Sequence, residues 1–319
     1  MPRPGFGGLS NMQFLITGAT GLLGSRLCHK LMGEGHSVTI LSRSLDKGQR
    51  LGVATYVWQP EKGLPPVQAL EGVDVVIHLA GEHIAAGRWT EEQKRRIRDS
   101  RVLSTRNLVA GLQAANAKPK ALICASAIGF YGDRGEENLT EDAPAGKGFL
   151  SEVCQEWEQE AGAAKAFGMR VVPVRIGVVL AKEGGALEQM LPIFKFGLGG
   201  SLGSGQQWFP WVHIEDVLGI FQHAIFNEAI AGPINAVAPG IVTNAGFTEA
   251  LAATLHRPAI FFVPSFVLRL GLGEVADLLL SSTRVIPDVA TATGYQFKFP
   301  LLRNALVNLF SGQTPDIHV

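Results

Sequence analysis

Three observations in the sequence predict an α/β fold built on a doubly wound parallel sheet. Short apolar runs alternate with stretches of helical periodicity, a glycine-rich turn joins the first run to the first helix, and the 319 residues are 46% hydrophobic, enough for a large buried core. A sheet covered by helices on both faces satisfies all three.

The first run, Gln13-Phe14-Leu15-Ile16, is short and apolar enough for a buried parallel strand. Thr17-Gly18-Ala19-Thr20-Gly21-Leu22-Leu23-Gly24 follows, and Leu23, Leu27 and Leu31 recur at helical spacing. Strand, glycine turn and helix in that order aim backbone N–H groups from a helix N-terminus, where unpaired donors and the dipole favour a pyrophosphate. Gly18 permits the tight turn, Gly21 lets the backbone approach the phosphates, and Gly24 lets the helix pack on its strand. Gly18, Thr20, Gly21, Leu22 and Leu23 are therefore the expected contacts of a dinucleotide cofactor. The spacing is Gly-x-x-Gly-x-x-Gly rather than the commoner Gly-x-Gly-x-x-Gly.

Ser37-Val38-Thr39-Ile40-Leu41 reads as the second strand, ending at Ser42-Arg43-Ser44 where such a unit meets the adenosine ribose. An acidic residue there would hold the free 2′-hydroxyl of NAD. Arg43 stands instead and can pair with a 2′-phosphate, so the expected cofactor is NADP(H). A solvated loop arginine is the alternative reading.

Ala54 to Trp58 is a short strand, and Val73 to Gly81 another, with Ala80 and Gly81 small enough for a cofactor to pass close. Thr90 opens a long helix with Glu91 and Glu92 in its first turn, where the dipole favours negative charge. Arg95, Arg96, Arg98 and Arg101 form its basic face, solvated except where one reaches a phosphate. Strands over Lys120–Ser126 and Arg170–Arg175, with a helix from Leu150 to Phe167 between them, complete the alternation and give a dinucleotide-binding domain over 12–180. From residue 181 the composition shifts to glycine clusters and the aromatic segment Trp208 to Asp216, which suits a smaller substrate-side and C-terminal domain over 181–319. A glycine-rich surface loop beside a core strand is the plainer reading of that segment.

Lys and Arg balance Asp and Glu at 28 each, so no global field draws the chain to nucleic acid or an acidic membrane. Cys28, Cys124 and Cys154 lack metal-ligand spacing and read as reduced thiols of a cytoplasmic protein, with no metal expected. The Gly- and Pro-rich leader Met1 to Asn11 has no apolar core of a secretory signal. The apolar run Ala259 to Leu272 is interrupted by Pro264 and Arg269 and is too short to span a bilayer.

With Thr17 to Gly24, His78-Leu79-Ala80-Gly81, Tyr131-Gly132 and Trp211-Val212-His213-Ile214-Glu215-Asp216-Val217 in view, the chain resembles the extended short-chain dehydrogenases/reductases, the class of nucleotide-sugar epimerases and dehydratases. More closely it resembles the atypical branch labelled epimerase family protein, which carries a small C-terminal domain. The resemblance implies a Rossmann fold and places cofactor contacts on Ser42 and Arg43 for the 2′-phosphate side, on Leu79 and Ala80 at the adenosine-facing strand end, and on Arg101. It also implies a Ser, Tyr, Lys and Asn set for proton and hydride transfer. In this chain Ala127, Leu150, Cys154 and Arg101 stand at those four places. Ser126 and Tyr131 are the candidate catalytic groups that are left, with Glu82, Glu152 and His213 behind them.

Two functions fit: an NADP(H)-dependent oxidoreductase or epimerase acting on a small molecule, and a catalytically silent NADP(H)-dependent regulator or scaffold. For the first, the substrate pocket is expected between the strand ends near Ala80 and Ser126 and the segment Gly203 to His213. Trp89, Trp208 and Trp211 would be its walls, and Glu82 and His213 its polar groups. If Arg43 holds the 2′-phosphate, Arg43→Ala weakens NADPH binding by about ten- to a hundredfold and leaves NADH binding nearly unchanged. Titration of both cofactors checks this, and equal losses would make Arg43 structural.

Overall fold

The computed structural model describes residues 11–85 and 87–311. The leader lies outside them except for Asn11, whose side-chain oxygen accepts from the Ser37 N–H at 3.0 Å. The chain enters through β1 (Gln13–Thr17), turns into α1 (Leu22–Gly33) and continues as β2 (Ser37–Ser42), α2 (Leu45–Gln49) and β3 (Ala54–Val57). β4 (Val75–His78) leads to α3 (Glu91–Ala114), whose first turn is capped by the Thr90 hydroxyl accepting from the Gln93 N–H at 3.2 Å. β5 (Ala121–Ala127), β6 (Asn138–Leu139), α4 (Phe149–Gly162) and β7 (Arg170–Ile176) follow. The helix expected to reach Phe167 tightens into a 3₁₀ turn over Ala163–Phe167 and stops at Gly168, which adopts the left-handed φ of 88°.

The second half begins with β8 (Val178–Leu180), α5 (Gly185–Lys195), β9 (Gly200–Leu202), β10 (Trp208–Phe209), β11 (Trp211–His213) and α6 (Ile214–Phe226). β12 (Ile234–Ala236), β13 (Val242–Thr243), α7 (Asn244–Leu255), β14 (Phe261–Val263) and α8 (Ser265–Leu272) come next. α9 (Asp277–Leu280), β15 (Arg284–Val285), α10 (Asp288–Ala292) and α11 (Leu302–Ser311) complete it.

Seven parallel strands form the central sheet in the order β12-β7-β5-β4-β1-β2-β3. The period of two decides which side chains meet which layer. Phe14 and Ile16 join Leu27, Leu31, Val217 and Phe221 on the α1 and α6 side, while Leu15 between them joins Leu108 and Leu112 of α3 on the other. Both faces are thus buried, which is why the strands read as continuous apolar runs. β1 lies between β2 and β4, so strand order reverses there and opens a crevice beyond the strand C-termini.

The division expected at residue 180 is crossed by the chain. β12 pairs with β7, Ile234 opposite Val174, and α6 packs against α1, so the nucleotide-binding body takes its last strand and a covering helix from the second half. The reason is burial: Ile234 and Ala236 are fully buried on an edge of β7 that would otherwise be bare. The smaller unit gathers around Leu187, Phe247, Leu251 and Leu306 of α5, α7 and α11. Asp216, fully buried on α6, joins the two by accepting from the backbone N–H groups of Lys298 at 2.8 Å and Phe299 at 2.9 Å.

Among the described residues no helix is long and apolar enough to cross a membrane, and no group of three His, Cys, Asp or Glu could hold a metal ion.

A Cβ on Gly24 would fall inside contact distance of the Gly18 carbonyl oxygen and 2.7 Å from the Ala19 Cα, all of it backbone that has no room to yield. Gly24→Ala is therefore expected to cost about 2–3 kcal/mol, near the top of the range for overpacking. A lower urea midpoint at unchanged slope would register it. An unchanged midpoint would show that the turn has slack.

Candidate functional site

The site is built around the turn between β1 and α1. Gly18 has a φ of +68°, and a side chain there would place its Cβ 2.6 Å from the Leu79 carbonyl carbon. The turn therefore rests directly on the backbone at the end of β4. Gly21 is the N-cap of α1 and brings no capping side chain, and the first turn carries no acidic residue. Thr20 and Gly21 are exposed. A 12-residue helix thus presents an uncapped positive end to solvent at the crevice, the arrangement a pyrophosphate needs.

A buried histidine fixes the turn from behind. The Thr17 hydroxyl and His78 Nδ1 lie 2.6 Å apart, and His78 Nε2 lies 3.0 Å from the Thr105 hydroxyl on α3. Thr105 donates its own proton to the Arg101 carbonyl at 2.6 Å, so its oxygen accepts from Nε2–H. Nδ1 is then bare and accepts from Thr17, whose oxygen accepts in turn from the Ala80 N–H at 3.3 Å. One chain of hydrogen bonds joins β1, β4 and α3, and it requires a neutral imidazole.

Where the adenosine ribose is expected, Ser42 closes β2 and accepts from the Ser44 N–H at 3.3 Å, leaving Arg43 exposed at the rim. Beside it is a cavity of about 270 Å³ lined by Thr20, Ser25, Lys47, Arg50 and Leu51. Lys47 and Arg50 escaped the sequence reading. The available signal was two basic residues three apart in the turn after Arg43, on the same helix face.

The strand ends where a nicotinamide is expected are unlike a proton-transfer site. Ser126 donates to Glu158 Oε1 at 2.6 Å, and Arg175 clamps the same carboxylate with two bonds of 2.9 Å. Arg175 also donates to the Tyr131 oxygen at 2.9 Å and lies 3.5 Å above the Phe130 ring, while Tyr131 donates to Asn235 Oδ1 at 2.7 Å. Tyr131 is fully buried, and burial raises its pKa against the opposing Arg175 charge. Ser126 and Tyr131 are thus brought together in one buried network spanning β5, α4, β7 and β12. Glu158, Arg175 and Asn235 were not singled out as site residues from sequence, although an arginine inside the apolar strand Arg170–Ile176 was a readable sign of a buried partner.

Leu150 and Cys154 lie on α4 beneath Gly129. Burial, with Glu158 adding to it and Arg101 opposing, pushes the Cys154 thiol up to about 12, so it stays protonated. Arg101 leans on Gly81, donates to the Glu82 carbonyl at 2.9 Å and to the Ile97 carbonyl at 3.0 Å, and lies 5.4 Å from the Trp157 ring. Leu150 packs, with Ile84, Phe149 and Leu278, against the buried cluster of Trp89, Ile97 and Val275.

Comparison with known proteins decides the family. The profile of the NAD dependent epimerase/dehydratase family matches residues 14–236, and that of a domain of unknown function, DUF1731, matches 263–309. The chain belongs to the NAD dependent epimerase/dehydratase family. It is 40% identical to epimerase family protein YfhF of Bacillus subtilis over 94% of its length and 98% of that protein's. To epimerase family protein SDR39U1 of Mus musculus it is also 40% identical, over 92% and 98%. A crystal structure of human epimerase family protein SDR39U1 with NADPH superposes with a TM-score of 0.84 at 36% identity, covering 95% of this chain and all of that one.

Within this epimerase-family fold two expected pocket residues lie elsewhere. Trp211 is buried and donates to the Gly240 carbonyl at 2.9 Å. His213 is buried with its ring 3.9 Å from that of Phe299, and its Nδ1 accepts from the Glu215 N–H to cap α6. Both sit on β11, which pairs with β8 inside the molecule, so they build core rather than a ligand wall. Trp89 is buried too, donating to the Ile84 carbonyl at 2.8 Å. Trp208 is half-buried and donates to Glu136 at 2.9 Å.

Burial holds the His78 imidazole at about 4, below its ordinary 6.5. Between those values the unfolded chain binds more protons than the folded one, so this group's contribution to stability is lost as pH falls from 6.5 toward 4. His213 acts in the same direction, whereas the raised pKa values of the buried Asp216 and Glu141 act oppositely. Comparison with His78→Gln isolates the first. The expected outcome is a shallower fall of the urea midpoint between about pH 7 and pH 5 in the variant than in the parent chain. Equal slopes would show that the relay tolerates a charged ring.

Proposed function

We propose that this chain is an NADP(H)-binding protein that does not run the tyrosine- and lysine-assisted hydride transfer of its class, and that its biological output is the cofactor-bound state itself. The observation that carries the reading is the content of α4. Leu150 cannot exchange a proton, Cys154 keeps its proton at neutral pH, and Ser126 and Tyr131 are spent on the buried Glu158–Arg175 pair. The cofactor cradle, in contrast, is intact. The uncapped start of α1 receives the pyrophosphate, Ser42 and Arg43 hold the 2′-phosphate side with Lys47 and Arg50 close by, and Leu79, Ala80 and Gly81 pass along the strand-end side. Arg101 stands behind Gly81 as the cation nearest that strand end. Bound NADP(H) would supply hydride chemistry at its nicotinamide ring. The NADPH in the human relative's crystal structure and the epimerase/dehydratase family match support the cofactor assignment.

One feature favours a second reading, a reductase or epimerase acting on a small molecule. Glu82 is half-buried at the crevice, and its backbone is held on both sides: its N–H donates to Ser100 at 2.9 Å and its carbonyl accepts from Arg101. Its carboxyl group has no hydrogen-bond partner among the described residues, which leaves a proton carrier available beside Gly81.

Purified protein tested for NADPH binding, and for nicotinamide absorbance changes with a panel of sugars, aldehydes and ketones, separates the two. Binding without turnover is the expected result. Turnover that Glu82→Gln abolishes would establish the second reading. Cys154→Ala is expected to leave NADPH affinity within about twofold, since a small buried thiol behaves as a hydrophobe. A hundredfold fall in any turnover with normal folding would place Cys154 in a rebuilt site.

A further inference from the structure

The apolar run Ala259 to Leu272 ends on the outside of the fold. α8 buries none of its eight residues, although five of them are Phe266, Val267, Leu268, Leu270 and Leu272. Every other described helix of eight or more residues buries at least three. Pairing of β14 with β9 brings the turn after α5 against the same surface, and Gly197 sits beside Pro258. Phe196, Ile260 and Leu270 are each about four-fifths exposed, and Leu198, Phe262 and Phe266 are each more than half exposed.

At ~200 Å² for a large apolar side chain, these six expose on the order of 800 Å². An ordinary monomer's largest apolar patch is about 300–600 Å², and each partner in a standard protein interface gives roughly 800 Å². The surface is also held in place. Arg88 donates to the Leu270 carbonyl at 2.6 Å and the Gly271 carbonyl at 2.9 Å, which fixes the end of α8 to the loop before α3. Its charged neighbours have both signs, with Arg269 on Asp277 at 2.9 Å, Lys94 on Glu274 at 2.6 Å, and Lys195 and Arg257 exposed next to Phe196 and Pro258. A lipid surface selects a basic rim. A mixed rim suits a protein face that meets its own likeness across a two-fold axis, because each copy then offers both signs to the other. Among the described residues the α3–α4 surface exposes no large apolar side chain to this degree, and Arg98–Glu156 and Arg106–Glu160 ion pairs run across it.

We propose that β14, α8 and the turn after α5 form the contact between two copies of this chain. β9, which pairs with β14 of this face, packs on α7 of the smaller unit.

Sedimentation velocity or light scattering of the full chain at about 50 µM tests this. The mass of two chains is expected, falling to one chain in a Phe266→Glu, Leu270→Glu variant whose thermal midpoint and NADPH affinity are unchanged. Ile260→Lys, on the neighbouring strand, provides an independent variant should the first fail to fold, and it should raise the dimer dissociation constant at least tenfold. A single-chain mass for the parent protein, a dimer that survives these substitutions, or flotation of the parent chain with phosphatidylcholine–phosphatidylserine vesicles would each overturn the proposal, the last in favour of a membrane surface.

Discussion

The arrangement of the whole nucleotide-binding body depends on three backbone segments meeting where no side chain fits between them. Gly18 rests on the carbonyl of Leu79, and Gly24 rests on the carbonyl of Gly18, so β1, α1 and β4 share one point of closest approach. The consequence for the site is directional. With α1 pressed that tightly onto its turn, its N-terminus can point only toward the crevice beside β1, where strand order reverses. His78 supports the same junction from the α3 side, and burial keeps its imidazole neutral, as the hydrogen bonds to Thr17 and Thr105 require.

A second constraint is the Glu158–Arg175 pair at the ends of β5 and β7. Both charges are largely withdrawn from solvent, and removing one partner of such a pair typically costs about 3–5 kcal/mol because the other is left buried and unpaired. Every hydrogen bond added to the pair lessens that exposure to error. Ser126 satisfies Glu158, while the Tyr131 oxygen and the Glu141 carbonyl satisfy Arg175. Hydroxyls that could have served chemistry are thereby committed to stability.

What could be read in the sequence was local. The turn from Thr17 to Gly24, the strand before it and the helix after it lie within about twenty residues, and backbone geometry alone dictates glycine at Gly18 and Gly24. The place of Arg43 just after β2 was legible because its distance from the turn is set by one strand and one helix. Contacts between distant segments were not. Tyr131 meets Asn235 across 104 positions, and nothing in either neighbourhood announces the other. His213 could be placed at a strand end, but a strand end says nothing about whether the ring faces a crevice or a phenylalanine. The boundary near 180 was drawn from a change in composition, whereas burial of the three-residue β12 obeys the need to cover β7.

That late strand has a consequence for how the chain comes into being. A ribosome delivers β1 through β7 long before Ile234 emerges, so for the intervening stretch β7 is an unpaired edge in a half-covered sheet, the kind of edge that recruits other chains. The contacts of Tyr131 and the Glu141 carboxyl group with Asn235 also wait out that interval, while Arg175 of β7 is already in place for the Tyr131 oxygen. Closure of the sheet at β12 therefore comes late in synthesis, and the Asp216 contacts to Lys298 and Phe299 need a stretch of chain that emerges later still.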